Sequence, residues 1–105
     1  MNSEFLYLTT TGHVSGKPRE IEIWFTEHAG RHYVIAEHRE RARWVHNVRA
    51  DPRVRVRVAD RSFAAIARVV DGSADPGLNR AVRRRSQDKY GWGDGLVVEL
   101  SPSAA

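Results

Sequence analysis

Apolar side chains recur at every second position along much of this chain. Ile21, Ile23 and Phe25 alternate with polar residues, and valine alternates with arginine over residues 53–58. Such alternation is typical of strands that bury one face. Residues 62–70 are apolar on both faces, so we expect that strand to be covered on both sides. The pattern predicts six strands, at residues 4–11, 19–27, 32–36, 53–58, 62–70 and 96–100.

Two segments have helical periodicity instead. Trp44, Val45 and Val48 share one arc at about 100° per residue, which predicts a short helix over residues 40–50 that the following Asp-Pro pair ends. A second helix is predicted over residues 75–89, because its opening Asp-Pro pair supplies an N-cap and a proline at the first helical position.

The predicted order is β-β-β-α-β-β-α-β in a single domain over residues 1–105. This mainly β chain with two helices, an α+β composition, suits a small closed or split β-barrel with helices at its rim. A ferredoxin-like sandwich is the alternative. We disfavour it because three strands precede the first helix.

The composition limits the chemistry, the location and the partners that we expect for the protein. The chain has no cysteine, which excludes disulfides, thiolate metal sites and a cysteine nucleophile. No apolar run approaches the roughly 20 residues needed to span a bilayer, so we expect a cytoplasmic protein without a membrane span. The formal net charge of +4 indicates an anionic partner, which could equally be a phosphorylated cofactor, nucleic acid or a membrane surface.

The loop after the first strand is the first candidate anion site. Hydroxyls and backbone amides lie close to two cations here, and charge-assisted hydrogen bonds of this kind hold phosphates or carboxylates. A polar hairpin turn with solvated cations is the alternative. The candidate residues are Thr9, Thr10, Thr11, Ser15, Lys17 and Arg19.

The second candidate lies where a strand ends and a helix begins, at residues 37–44. Free amides at a helix N-terminus attract anions, and Arg39, Arg41 and Arg43 would reinforce the attraction. Alternatively, Glu37, Arg39, Glu40 and Arg43 form a solvated salt-bridge network, and the adjacent tryptophan is a core anchor.

Trp24 is predicted on the solvent face of its strand, where a large aromatic needs a cover. A partner subunit is our first interpretation, and a cofactor or substrate pocket is the second. Tyr90 and Trp92 could close over a ring system or seal the end of the barrel.

No familiar catalytic constellation is present in the sequence. Ser15 lacks a nucleophile-elbow context, and the Gly-Trp-Gly-Asp-Gly stretch follows a helix, so it is not a dinucleotide fingerprint. The histidines lack the spacing of a zinc site, so we expect no metal and regard them as surface residues. They are His13, His28, His32, His38 and His46.

Two stretches carry a family resemblance, LTTTGHVSGKPR at residues 8–19 and WVHNVRADPRVRVRV at residues 44–58. With them, the chain resembles the deazaflavin-dependent nitroreductase family of split-barrel oxidoreductases. The resemblance implies an enzyme that passes hydride from reduced coenzyme F-420 to a small electron-poor molecule, such as a quinone, enone or nitro compound. The cofactor would do the chemistry, so no acid or base residue is compulsory.

The resemblance also implies the cofactor contacts. The basic residues would hold the anionic tail, the backbone at residues 36–38 would meet the ring, and the Trp-x-x-Asn pattern would support the helix. This chain has His13-Val14 where the family usually carries two basic residues, and its segment 37–43 is shorter. The implied contacts are Thr11, Ser15, Lys17, Arg19, Ala36, Glu37, His38, Arg39, Arg41, Arg43, Trp44 and Asn47.

Other ligands stay open at this point. Split barrels also bind FMN and, in some branches, haem. A binding module without catalysis is the competing class, in which basic side chains contact nucleic acid, although it lacks the stacking aromatics of single-strand binders. The basic side chains in question are Arg53, Arg55, Arg57, Arg80, Arg83, Arg84 and Arg85.

The short chain also predicts an assembly. It has Trp24 on a non-core face, a strand that is apolar on both sides, and no third layer to cover them. We therefore expect an obligate homodimer that buries roughly 2,000 Å² or more, with Trp24 near its centre and the cofactor groove at or beside the boundary.

Overall fold

The computed structural model describes residues 4–103. These residues form strands and helices in the predicted order, except that one predicted strand is divided in two. In chain order, the elements are β1 (Phe5–Thr11), β2 (Pro18–Trp24), β3 (Thr26–His28), β4 (Arg31–Ala36), a 3-10 helix (Arg39–Arg41), α1 (Arg43–Ala50), β5 (Arg53–Val58), β6 (Arg61–Val69), α2 (Pro76–Tyr90) and β7 (Leu96–Pro102).

The strands form one antiparallel sheet in the order β2-β1-β5-β6-β7-β4-β3. The sheet curls until β2 comes close to β4. Phe25 joins the two edge strands, β2 and β3, along the chain. The result is a split β-barrel. Phe25 connects its two edge strands covalently, and the barrel is open between β2 and β4.

The barrel has an apolar interior and a second core under α2. Alternate residues of the strands face inward, where a fully buried leucine or valine contributes roughly 1.5–3 kcal/mol. Tyr33, Ile35, Val82 and Val97 pack between the outer face of the sheet and α2. The interior includes Leu6, Leu8, Phe25, Val34, Val54, Val56, Val58, Ala65, Ala67, Val98 and Leu100.

A buried carboxylate lies on the outer face of β7. Glu99 accepts a hydrogen bond of 2.8 Å from the Tyr33 hydroxyl and two of 3.2 Å from Arg68. Burial alone would raise the pKa of Glu99, but the hydrogen bonds from Arg68 and Tyr33 outweigh it and lower that pKa. These hydrogen bonds stabilise the ionised form of Glu99, although its side chain is buried.

The predicted strand over residues 19–27 is interrupted at Phe25. The Phe25 side chain turns into the core and is 5% exposed. Its backbone N–H donates to the Tyr90 hydroxyl oxygen at 3.0 Å, and that hydroxyl also lies 2.8 Å from the Phe25 carbonyl oxygen. A side chain of α2 therefore satisfies the Phe25 backbone groups where the sheet ladder stops.

The helix predicted over residues 40–50 also differs. Ala42 is extended, with φ −64° and ψ 130°, so it separates the 3-10 turn from α1. The second helix begins at Pro76 as predicted, but Asp75 makes no side-chain cap hydrogen bond. It ends at Tyr90, and the next residue, Gly91, has a φ of 76°, the left-handed conformation that glycine adopts readily.

Ile66 is 42% exposed on the outer face of β6, so within this chain that strand is covered on one side only, and its expected second cover stays a prediction. One expectation about exposure is wrong. His32 is buried rather than at the surface, because it points into the end of the barrel between Phe25 and Phe63. No helix within residues 4–103 is long and apolar enough to cross a membrane.

Candidate functional site

Two grooves adjoin each other along the open side of the barrel and share Ile21 and Trp44. The first, which we call the apolar groove, has a volume of about 500 Å³ and lies between β2 and β4. The second, the basic groove, has a volume of about 980 Å³ and lies between the 12–16 loop and α1. We call the two adjoining grooves together the depression; Ile21 and Trp44 are walls of both of its parts.

The apolar groove has aromatic and aliphatic walls. All three tryptophans of the chain line it. Ala36, Glu37 and His38 form its rim where β4 ends. Gly95 packs behind Ala36, where a Cβ would lie 2.5 Å from the Ala36 carbonyl oxygen. The remaining walls are Phe5, Ile21, Glu22, Ile23, Trp24, Ile35, Ala42, Trp44 and Trp92.

The basic groove brings the two predicted anion sites together. Arg19 reaches it from β2 and Arg43 from the first turn of α1, and both side chains are exposed. Ser15 lies on its loop wall, where Ser15 Oγ accepts a hydrogen bond of 3.2 Å from the Lys17 N–H. Hydroxyl and guanidinium donors therefore face one open space, as an anionic ligand requires.

Asn47 has a structural part in this groove. It is 4% exposed, and its Nδ2 donates to Thr10 Oγ1 at 3.0 Å. Its Oδ1 accepts a hydrogen bond of 2.9 Å from the His13 N–H and lies 2.6 Å from His13 Nδ1. Asn47 thus ties the loop to α1 and β1, and His13 is part of the framework.

Trp24 is covered on one face by its own chain. Its ring and that of Tyr90 are stacked, with centroids 4.5 Å apart and planes 3° from parallel. The Trp92 ring meets Trp24 edge-on at 6.5 Å. The expectation that the chain has nothing of its own to cover Trp24 is therefore wrong, although 39% of Trp24 stays exposed.

Some of the predicted contacts lie elsewhere. Arg39 donates to Asp94 Oδ1 at 2.8 Å, which holds its guanidinium at the 91–95 loop. Thr11 pairs with Pro18 in the sheet. Lys17 and Arg41 are exposed, and neither is a wall of the two grooves. The structure therefore brings together Ser15, Arg19, Ala36, Glu37, His38, Arg43, Trp44 and Asn47.

The salt-bridge network proposed for residues 37–43 has other partners. Glu40 pairs with Arg49 at 2.8 Å, and neither residue lines either groove. Asp94 pairs with both Arg39 and Arg83 at 2.8 Å. Nothing in the sequence indicates that Asp94 is a partner of these arginines. These ion pairs leave Arg43 facing the basic groove.

The apolar groove carries negative charge at its outer edge. Glu22 Oε2 accepts a hydrogen bond of 2.8 Å from the Tyr7 hydroxyl. That hydrogen bond to Glu22, with the charge of the same carboxylate, raises the pKa of Tyr7. Glu37 is exposed at the opposite rim. No lysine or arginine within the described part of the chain lines this groove.

The arginine ladder of β5 is largely neutralised. Arg53 pairs with Asp51 at 2.9 Å, and this hydrogen-bonded pairing lowers the pKa of Asp51. Arg57 lies 3.6 Å from Glu20 and 4.0 Å above the Tyr7 ring. These contacts weaken the nucleic-acid hypothesis.

Within residues 4–103, no three histidine or acidic side chains gather as a metal site.

The fold defines a split-barrel protein, with the apolar groove and the basic groove side by side at its opening. The sequence profile of the F420H(2)-dependent quinone reductase family matches residues 1–94. The chain belongs to this family, which makes it an oxidoreductase that uses coenzyme F-420. No curated protein sequence matches the chain.

Solved structures resemble the whole fold at low sequence identity. The haem storage protein HutZ from Vibrio cholerae is 19% identical, with a TM-score of 0.80 over 99% of this chain and 84% of that one. An F420-H2 dependent reductase, FDR-A, is 21% identical, with a TM-score of 0.73 over 93% of each chain. An FAD-binding protein from Mesorhizobium loti is 14% identical, with a TM-score of 0.70 over 97% of this chain and 82% of that one.

Proposed function

We propose that this protein binds reduced coenzyme F-420 in the two adjoining grooves and reduces a small electron-poor molecule there. Quinones, enones and nitro compounds are the acceptors we consider. The observation that carries the proposal is that the basic groove and the apolar groove adjoin each other at Ile21 and Trp44. A ligand with a flat ring and an anionic tail needs both environments, joined in this order.

The side chains present fit such a ligand. Arg19, Arg43 and Ser15 would hold the anionic tail, since two cations and a hydroxyl face the same space. Ile21 and the backbone at residues 36–38 would contact the ring. When bound, the coenzyme supplies the hydride, so the chain itself needs only to bind, to orient and to exclude water.

The apolar side chains of the depression would exclude water from the bound coenzyme. Trp44 is half-buried against the barrel core and separates the ring end from the tail end of the depression. Ile23 and Ile35 both line this groove between β2 and β4. Removing water from such a groove strengthens each electrostatic contact in it.

Tryptophan fluorescence tests the proposal directly, because every tryptophan of the chain lines the apolar groove. The purified protein is titrated separately with reduced and oxidised coenzyme F-420, FMN and haem. We expect saturable quenching with coenzyme F-420. Tight binding of FMN or haem with no binding of coenzyme F-420 would overturn the proposal.

We also propose a homodimer. Ile66 is 42% exposed on the outer face of β6, and a second copy would cover it. One similar structure, 22% identical with a TM-score of 0.67, is described as a domain-swapped dimer. Light scattering at micromolar protein concentration tests the assembly. A dimer that Ile66→Glu converts to monomers supports it, and an 11.9 kDa species for the wild type refutes it.

A further inference from the structure

The charged side chains of the depression differ between its two ends. Its tail end has two cations, Arg19 and Arg43, and one carboxylate, Glu20. Beyond Trp44, the apolar groove has two carboxylates, Glu22 and Glu37, and no lysine or arginine of the described residues among its walls. An anion is therefore attracted at one end and repelled at the other.

The far end of the apolar groove is also its most aromatic part. Phe5, Trp24 and Trp92 line it, and Phe5 and Trp24 are 37% and 39% exposed. Exposed aromatic faces stack on flat rings, and tryptophan in particular attracts cations. The groove walls thus offer a surface to a planar ring beyond the position assigned to the coenzyme ring.

The Trp24 ring is held in place from behind. Tyr90 stacks against it, and the Tyr90 hydroxyl lies 3.0 Å from Phe25 N, 2.8 Å from Phe25 O and 2.6 Å from the Glu4 carbonyl oxygen. Lys89 Nζ donates to the Phe25 carbonyl at 2.9 Å. A ring fixed in this way is an organised stacking surface, which reduces the entropy lost when a ligand binds.

From these three observations, we propose that the Phe5, Trp24 and Trp92 end of the apolar groove is the acceptor subsite, and that it selects planar aromatic acceptors that are neutral or cationic over anionic ones. Trp24 is the specificity-determining side chain, and Tyr90 is a positioning residue that orients it. The inference rests on the proposed function, because the coenzyme is assigned to the remainder of the depression.

The test uses binding to the coenzyme-free protein, so it does not depend on turnover. Isothermal titration calorimetry and tryptophan quenching compare neutral menadione with the anionic 1,2-naphthoquinone-4-sulfonate. We expect menadione to bind about tenfold more tightly, because Glu22 and Glu37 line the same groove and repel the sulfonate. Equal affinities, or tighter binding of the sulfonate, would overturn the charge selection.

Variants then assign the subsite to its residues. Trp24→Ala should weaken menadione binding about tenfold and Trp24→Phe less, since phenylalanine keeps part of the stacking surface. Glu22→Gln combined with Glu37→Gln should bring the two quinones to similar affinity, and this pair does not alter the aromatic walls. Unchanged menadione affinity in both tryptophan variants would contradict the subsite.

The control separates this inference from the proposed function. Arg19→Ala should weaken binding of coenzyme F-420 but leave menadione affinity unaltered, since Arg19 lies in the basic groove. If wild-type protein fails to bind coenzyme F-420 yet binds menadione through Trp24, the proposed function fails and the subsite stands. If Trp24→Ala yields monomers with unchanged menadione affinity, a second copy covers Trp24 and the subsite is wrong.

Discussion

Trp24 and Tyr90 stack face to face across the junction of β2 and α2, with ring centroids 4.5 Å apart. The contact links the wall of the apolar groove to the last turn of the helix. The Tyr90 hydroxyl also satisfies the backbone of Phe25, where β2 passes into β3. One side chain therefore shapes both the strand break and the groove.

We predict that Tyr90→Phe destabilises the protein by about 1–3 kcal/mol, because it leaves the Phe25 amide without its partner while keeping the ring stack. Urea unfolding measures the change. The same variant should shift the tryptophan emission spectrum, since the backbone that holds Trp24 loses its anchor.

Tyr7→Phe is the matched control. Tyr7 also donates a hydrogen bond, but to the exposed side chain of Glu22 at 2.8 Å. Its urea midpoint should stay close to that of the wild type. If Tyr90→Phe were as stable as Tyr7→Phe, the hydroxyl of Tyr90 would have no part in holding the strand break.

The strands and helices were predictable because their signals are local. The valine and arginine alternation of β5 gives a pattern of buried and exposed residues that the sequence shows directly. The break at Phe25 was not predictable, because it depends on Tyr90, 65 residues further along the chain. The sequence likewise contains no local pattern that predicts the extended conformation of Ala42.

The site was predictable in its parts but not in its assembly. Arg19 and Arg43 were separate candidates, and only the curl of the sheet brings both to the basic groove. Arg39 was expected at the cofactor, but Asp94, 55 residues away in sequence, pairs with it. Alternation alone placed Trp24 on the outer face, where the stacking of Tyr90 could not be foreseen.

We predict that Arg19→Ala weakens binding of coenzyme F-420 about ten- to a hundredfold, as expected for loss of a charge-assisted hydrogen bond. The melting temperature should stay nearly unchanged, because Arg19 is exposed. Fluorescence titration and thermal unfolding give the two values. Arg55→Ala, an exposed arginine on β5, should change neither. Equal affinities of wild type and Arg19→Ala would show that Arg19 is only a solvated strand residue.

We predict that Gly95→Ala destabilises the fold by about 1–3 kcal/mol, the usual cost of forcing a methyl group into a packed position. The new Cβ would lie 2.5 Å from the Ala36 carbonyl oxygen and 2.6 Å from Ile35 Cγ2, both at the apolar groove. Affinity for coenzyme F-420 should fall as well. Gly77→Ala is the control, since no atom lies within 4 Å of its Cβ position. Similar urea midpoints for the two variants would contradict this prediction.

The final prediction concerns His32, which is 5% exposed and lies between the rings of Phe25 and Phe63. Its Nε2 is 3.2 Å from Glu27 Oε1, without a well-aligned hydrogen bond. Burial, which disfavours the charged ring, lowers the pKa of His32, and the charges of Arg61 and Lys89 act in the same direction. Glu27 acts against them and does not reverse the shift.

Stability should therefore decrease as the pH falls below about 6.5, the ordinary pKa of histidine, towards the lower pKa of His32 in the folded protein. In this window the unfolded chain binds a proton that the folded chain does not, so protonation favours unfolding. Urea unfolding at several pH values from about 5 to 8 measures the slope. His32→Phe, which keeps an aromatic ring between Phe25 and Phe63 but cannot titrate, should flatten it. His46→Phe, which replaces an exposed histidine instead of the buried one, is the matched control. A wild-type slope that survives His32→Phe unchanged would place the proton uptake at another group.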